Sequence, residues 1–345
     1  MTTDPADHPA PGDAAPALRV LAAPPFATIQ DLGRPGWRHL GIPAGGAMDR
    51  WALQAANVLA GNAAGAAALE WSVGGGLVRF ERDLTIALAG ADCLATLDGR
   101  PVAAWMPLRV RAGDRLALGA PRRGRFLYLA VAGGLAVPPV LGSAATYLPA
   151  AFGGVAGRRL RDGDLLAAGP SPDGEAGGAC PPELRVAIAG WHDGRPHDEP
   201  VRVVAGPQAA LLDDAGWARL LGPGLAVSMT SDRSGYRLRG VAVPPSADAA
   251  ERPSEPGCPG ALQLPPDGEP IVLMADAPTV GGYPKPAVVC AADLGRLAQH
   301  APGDPVRLAL VSLDEAQRLY RRRSVAVWTL SELRRRRIDG VGRGT

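Results

Sequence analysis

One side chain stands out for chemistry. Lys285, in the stretch ADAPTVGGYPKPAVVCAADL (275–294), is the only lysine in a chain with 35 arginines. A guanidinium is larger, planar and permanently charged, so it cannot replace a compact amine that must titrate or fit against a small atom. A lysine kept in such a chain marks a place where an amine is wanted. Its neighbours would hold it still. Gly281 and Gly282 allow close approach of a ligand or unusual backbone angles. Pro284 and Pro286 bias Tyr283 and Lys285 toward extended backbone. The expectation is a rigid Tyr-Pro-Lys between two apolar strands, with Lys285 and Tyr283 as reacting groups. The plain alternative is a stiff hairpin tip with a solvated lysine.

Other polar residues sit in similar settings. SDRSGYRL (231–238) offers Asp232 as a further catalytic candidate, with Arg233 and Tyr236 as binding residues. PSEPGCPGALQLPPDGEP (253–270) brings Glu255, a catalytic candidate, and Gln263 on a proline-braced loop. Asp276 closes the apolar run PIVLMAD, and TIQDLGRPG carries Asp31 and Arg34. The plain readings are a turn with a surface ion pair and a connecting loop. Several chemistries are missing from the pattern. The chain has no Gly-Lys-Ser/Thr phosphate loop, no Gly-x-Gly-x-x-Gly between strand and helix, and no Gly-x-Ser-x-Gly elbow. Cys93, Cys180, Cys258 and Cys290 form no CxxC pair, and His192 and His197 lack a third ligand nearby, so no metal is expected.

These residues must be positioned by a mostly β chain. Glycine (45) and proline (35) cut it into short apolar runs. LTIALAG (84–90), RLALG (115–119), RFLYLAVAGG (125–134), RVVAG (202–206), PIVLMAD (270–276), PAVVCA (286–291) and PVRLAL (305–310) read as buried strands. Gly-Asp before a strand recurs at 113–114, 163–164 and 303–304, which is turn chemistry. MDRWALQAANVLAGN reads as a helix capped by Asp49 and ended by Gly61. SLDEAQRLY opens with a Ser312/Glu315 capping box. Five segments of the first half echo the second half in the same order, at offsets of 183 to 199 residues. They include RPGWRHLG with RSGYRLRG, and ALE with ALQ. A tandem duplication is the expectation, with the site in residues that only one copy carries. A length of 345 suits about two domains. The boundaries expected are a disordered lead-in (1–17), a first domain (18–170), a linker (171–198), a second domain (199–325) and a basic tail (326–345). A net charge of +2 gives no footprint for nucleic acid. No apolar run is long enough to span a bilayer, and no signal peptide opens the chain, so a cytoplasmic location with reduced thiols is expected.

The motifs TIQDLGRPGWRHLGIPAGGAMD, YLAVAGGLAVPPVLGSAATYL, SDRSGYRL, PSEPGCPGALQLPPDGEPIVLMAD and GGYPK resemble the family of 5-oxoprolinase C-type subunits, also described as a biotin-dependent carboxyltransferase domain or allophanate hydrolase subunit 2. The resemblance runs from about residue 18 to 320. It implies a tandem pair of cyclophilin-like β-barrel domains, mainly β with a few short helices. It also implies partners resembling subunits B and A, with which the chain would open 5-oxo-L-proline to L-glutamate using ATP. On that resemblance, Lys285 would stabilise a developing oxyanion or phosphate and Tyr283 would orient it. Asp232 or Glu255 would position water or the ring N–H. ATP would be shared with or bound by the partners. Biotin would not be attached to this chain, because its one lysine is not in a Met-Lys-Met context. The alternatives are a carboxyltransferase acting on a urea-like amide and a regulatory protein that binds a kinase inhibitor. Gly45, Ser234, Pro278, Val280 and Pro286 depart from the family's pattern.

Overall fold

The computed structural model describes residues 14–170, 199–243 and 253–341. The chain divides into two compact units. The first takes Met1–Arg34, Asp49–Asp193 and Ser324–Thr345; the second takes Pro35–Met48 and Gly194–Arg323. The segment 35–48 therefore belongs to the second unit, although it lies inside the span expected for the first domain. Both units are mainly β with a few helices, as expected.

In the first unit, strands β1 (Ala15–Ala22), β4 (Gly76–Phe80), β6 (Thr96–Leu97), β7 (Arg100–Pro101), β9 (Arg115–Leu118) and β11 (Leu165–Ala168) form one sheet in the order β11-β1-β4-β9-β6-β7. Strands β2 (Phe26–Gln30), β3 (Ala68–Ser72), β5 (Leu84–Asp92), β8 (Pro107–Val110) and β10 (Arg123–Val131) form a second, ordered β2-β3-β10-β5-β8. Leu18, Ile29, Leu69, Trp71, Phe80, Ile86, Leu116 and Leu129 belong to one continuous core. Burial of each such side chain stabilises by about 1.5–3 kcal/mol. Trp71 fits because Gly76 has no Cβ; one placed there would lie 2.0 Å from the indole ring. Helix α1 (Arg50–Ala60) packs on β5 and β10. Its alanines allow close approach. Asp49 caps it, accepting from the N–H groups of Trp51 and Ala52, and Gly61 ends it in the left-handed region at φ 91°.

The second unit contains β12 (Val201–Ala205), α2 (Asp214–Leu221), β13 (Leu225–Val227), β14 (Gly235–Arg239), β15 (Glu255–Pro256), β16 (Ala261–Gln263), β17 (Ile271–Leu273), β18 (Val280–Gly281), β19 (Ala287–Val289), α3 (Ala291–Ala298), β20 (Pro305–Val306) and β21 (Leu308–Leu310). Eight of these strands run in the order β20-β13-β14-β17-β16-β19-β12-β21. The two edge strands, β20 and β21, are separated in sequence by Arg307 alone. One kinked segment thus brings the edges together and nearly closes a barrel. β15 and β18 form a separate two-stranded ribbon, which carries the candidate site. Helix α4 (Leu313–Val341) follows, opened by Ser312, whose Oγ accepts from the N–H of Glu315 at 3.2 Å.

All seven apolar runs are strands, with PVRLAL broken into β20 and β21. The three Gly-Asp turns are one structure used three times. Asp114, Asp164 and Asp304 each accept from the N–H three residues earlier, at 2.8, 2.8 and 2.6 Å, and Gly113, Gly163 and Gly303 take φ near +90°. Other expectations need correction. β1 starts at Ala15, so residues 15–17 are strand and not lead-in. Residues 326–341 continue helix α4. The span 171–198, with His192, His197 and Cys180, lies outside the described residues. Three of the five echoed pairs fall on strands in both halves, β1 with β12, β3 with β16 and β5 with β17, and the other two differ locally. RPGWRHLG forms a turn and a 3-10 helix at Arg38–Leu40, whereas RSGYRLRG contains strand β14. β9 is antiparallel to β4, while its echo β21 is parallel to β12. Shared turn chemistry accounts for the closest match, without equivalent pairing around it. Among the described residues no helix is long and apolar enough to cross a membrane.

Candidate functional site

Lys285 is the centre of a built polar cluster in the second unit. It is only 5% exposed. Its Nζ donates to Glu255 Oε2 at 2.9 Å and, more weakly, to the Pro256 carbonyl at 3.4 Å. The backbone is pinned as well. The Lys285 N–H donates to Gln208 Oε1 at 2.9 Å, and its carbonyl accepts from the Gln208 N–H at 3.3 Å. Gln208 Nε2 closes the ring by donating to Glu255 Oε2 at 3.0 Å. One glutamine thus fixes both the backbone that carries the amine and the carboxylate that holds it. The solvated hairpin tip is excluded. A buried ammonium is tolerated only with a charge partner and hydrogen bonds, and this one has both.

The scaffold explains the position. Pro284 and Pro286 hold the chain extended into β19, which pairs with β12 and β16. β12 leads directly to Gln208. Gly206 must be glycine, because a Cβ there would lie 2.2 Å from the Lys285 carbonyl oxygen. Glu255 sits on β15 directly opposite Gly281 on β18.

Arg38, which sequence reasoning did not single out, braces the surrounding loops. It donates to the carbonyls of Gly257 at 2.7 Å, Pro278 at 2.9 Å and Ala277 at 3.5 Å. Burial lowers its pKa, and the charge interaction with the adjacent Cys258 opposes this. Pro278 contributes only its carbonyl here, so the departure from the family's pattern at this position leaves the brace intact. Arg233 is a second tie. Its guanidinium grips Asp276 with two hydrogen bonds, 2.8 and 3.0 Å, and donates to the Gly46 carbonyl at 2.6 Å. Together these arginines hold the segment 38–46 along the loops that carry Glu255 and Asp276.

The other expected site residues separate into two groups. Gln263 lies beside the cluster: a Cβ added to Gly281 would come within 2.6 Å of its Nε2. Tyr283 is close in sequence but 45% exposed, and no hydrogen bond joins it to Lys285 among the described residues. Gln208 and Glu255 orient the lysine instead. Asp232 is exposed and accepts from the N–H groups of Ser234 and Gly235 at 2.8 and 3.2 Å, so it serves its own turn. Tyr236 is fully buried and donates to the Ala298 carbonyl at 2.8 Å; it is a core residue. Asp31 and Arg34 serve inside the first unit. Asp31 accepts from Gly33 N, Ser143 Oγ and Ala144 N, each at 2.7 Å. Arg34 donates to the Ala145 and Val140 carbonyls and stacks 4.7 Å from the Phe152 ring centroid. Both build the loop at 140–152. Among the described residues no three His, Cys, Asp or Glu side chains form a metal cluster.

The arrangement can offer a fixed cation beside a fixed carboxylate. An ammonium donates three hydrogen bonds, and among the described residues two are used here, which leaves one for an acceptor that gains negative charge. Comparison with known proteins gives the chemistry a context. The family described as carboxyltransferase domain, subdomain A and B, matches residues 40–310. The 5-oxoprolinase C-type subunit of Escherichia coli (strain K12) is 40% identical over 299 residues, covering 87% of this chain and 93% of that protein. Its counterpart from Haemophilus influenzae is 37% identical over 309 residues, covering 89% and 96%. The solved structure of Kluyveromyces lactis urea amidolyase matches with a TM-score of 0.81 at 28% identity, covering 91% of this chain and 20% of that one. This chain therefore spans about a fifth of that larger protein.

Proposed function

The chain belongs to the carboxyltransferase domain family, and from that premise we propose that it is the C-type subunit of an ATP-dependent 5-oxoprolinase, working with subunits of the B and A types to open 5-oxo-L-proline to L-glutamate. The observation that carries this reading is the buried Lys285–Glu255 pair, held at 2.9 Å in a chain that is 40% identical to a 5-oxoprolinase C-type subunit along most of its length.

A five-membered lactam is resonance-stabilised, so its carbonyl must be activated before water can open it. ATP, handled with the partner subunits, would supply that activation as a phosphoryl group. Lys285 would meet the charge that develops on the amide oxygen. Fixed donors aimed at such charge stabilise it strongly because they need no rearrangement as it forms. Glu255, with its side chain about one-third exposed, would position water or the ring N–H. This reading gives Tyr283 and Asp232 no part in the step, because Tyr283 is exposed and Asp232 caps its own turn. The burial and ion pair of Lys285 support the reading that biotin is not attached to this chain.

A second reading, a carboxyltransferase acting on a urea-like amide, draws support from the match to urea amidolyase. Co-expression with B-type and A-type subunits separates the two. A complex that co-purifies and hydrolyses ATP only when 5-oxo-L-proline is added supports the first. A complex that ignores 5-oxo-L-proline, or an isolated chain that performs the whole reaction, refutes it.

A further inference from the structure

Gln263 is 6% exposed and its side-chain amide makes no hydrogen bond among the described residues. A mostly buried amide that the protein itself leaves unpaired is free to bond a small molecule. It is also not sealed in, since neither amide atom is among the fully enclosed, unpartnered polar atoms. The backbone around it has been cleared to make room. A Cβ on Gly281 would fall 2.6 Å from Gln263 Nε2. No left-handed backbone angle demands glycine at 281, so the small residue is there for space. Gly281 faces Glu255 across the β15–β18 ribbon, and Glu255 holds Lys285. The next residue, Leu264, donates to the carbonyl of Pro284 at 2.9 Å, immediately before Lys285. The unpartnered amide thus stands against the ribbon residue that faces Glu255, and the residue after it ties to the chain just before Lys285.

We infer that the Gln263 amide is the specificity-determining contact that reads the edge of a cis amide. A primary carboxamide presents C=O and one N–H side by side. A lactam presents the same two groups side by side, because its ring forces the amide to be cis. The two edges are self-complementary and join through a pair of hydrogen bonds. Urea carries such an edge as well. A linear secondary amide is trans, with its N–H and C=O on opposite sides, and cannot make the pair. The ligand class is therefore small cis amides, lactams and ureas, held so that the carbonyl oxygen's second lone pair is free for Lys285. This inference deepens the proposed function and rests on its placement of the site.

The test is binding to the full-length chain by isothermal titration. The ligands are 5-oxo-L-proline, its N-methyl derivative and N-acetyl-L-alanine, a trans amide of similar size and charge. Wild type is expected to bind 5-oxo-L-proline and to bind the other two at least about tenfold more weakly, the effect of losing one or two hydrogen bonds in a buried site. Gln263→Met, of similar volume, and Gly281→Ala, which displaces the amide, are each expected to weaken 5-oxo-L-proline binding by about tenfold or more. The ligand series does not depend on how the variants fold. Equal affinity for the N-methyl derivative, unchanged affinity in both variants, or no saturable binding to wild type would each overturn the inference. Its failure is distinguishable from failure of the proposed function. A complex that turns over 5-oxo-L-proline while Gln263→Met binds normally sinks only the inference. A complex inactive on 5-oxo-L-proline, whose chain binds urea in a Gln263-dependent way, sinks only the proposed function.

Discussion

Replacing Gln208 by alanine should damage the site by removing the support of Lys285 and Glu255. The side chain makes two bonds. Its Oε1 accepts from the buried Lys285 N–H at 2.9 Å, and its Nε2 donates to Glu255 at 3.0 Å. Loss of the first leaves a buried backbone donor unsatisfied, which costs about 1–3 kcal/mol. The second ends on a carboxylate that is about one-third exposed, so solvent screening reduces it to roughly 0.5–1 kcal/mol. The expected loss of stability is about 1.5–4 kcal/mol. The Lys285 amide should also exchange faster, and an amine displaced by about 1 Å should lose roughly a hundredfold in turnover. The assays are urea denaturation, hydrogen exchange of the peptide that contains Lys285, and 5-oxo-L-proline-dependent ATP hydrolysis by the co-purified complex. A variant that loses less than about 0.5 kcal/mol, the range of ordinary surface changes, and keeps Lys285 protected would show that Gln208 is not the support described.

Other variants test the remaining assignments. Asp293 is fully buried and paired with Arg202 at 2.6 Å. Burial alone would raise its pKa, but hydrogen bonds from Arg202 and the charge of Arg296 overcome this and hold it below the ordinary 3.8. Its stabilisation should therefore be complete above pH 3.8 and fade as the pH falls through the lower folded value. Asp293→Asn should cost about 3–5 kcal/mol at pH 7, with the gap to wild type closing in acid, as read by denaturation at a series of pH values. Tyr283→Phe should keep nearly full turnover, because the exposed hydroxyl orients nothing in the cluster; a loss beyond about tenfold would restore it as a catalytic residue. Asp232→Ala should cost about 1 kcal/mol of stability through its turn and leave the KM for 5-oxo-L-proline unchanged.

Local chemistry made the fold readable, and long-range pairing limited the reading of the site. Apolar runs bounded by glycine and proline marked β5, β10, β12 and β19, because a buried strand needs little beyond that pattern. The Gly-Asp turns and the Asp49 cap were visible because each closes on its own neighbours. Lys285 showed through composition, and Glu255 through a loop too polar to be core. Gln208 left no such trace. It reaches Lys285 across 77 positions, and GPQAALL by itself is an ordinary strand exit. Arg38 was hidden by the apparent repeat, which assigned it to a shared turn. Tyr236 did carry a signal. Tyr-Arg-Leu-Arg alternates inward and outward along β14, and that period of two placed the ring in the core. Asp31 was similar, since Asp-Leu-Gly is the pattern of a carboxylate that binds the N–H two residues on.

On the proposed function, the chain keeps one lysine because an amine, and not only a charge, is needed at position 285. Lys285→Arg preserves the charge and the ion pair with Glu255, but its longer planar head would misplace the donor by about 1 Å, enough for roughly a hundredfold loss in rate. The direct measurement is 5-oxo-L-proline-dependent ATP hydrolysis by the co-purified complex carrying Lys285→Arg, beside wild type, with thermal denaturation of the isolated chain as the control for folding. The expected result is a normally assembled, folded complex with about one per cent of wild-type turnover. An arginine variant that retains more than about half of the wild-type rate, far above what a 1 Å displacement permits, would contradict the account.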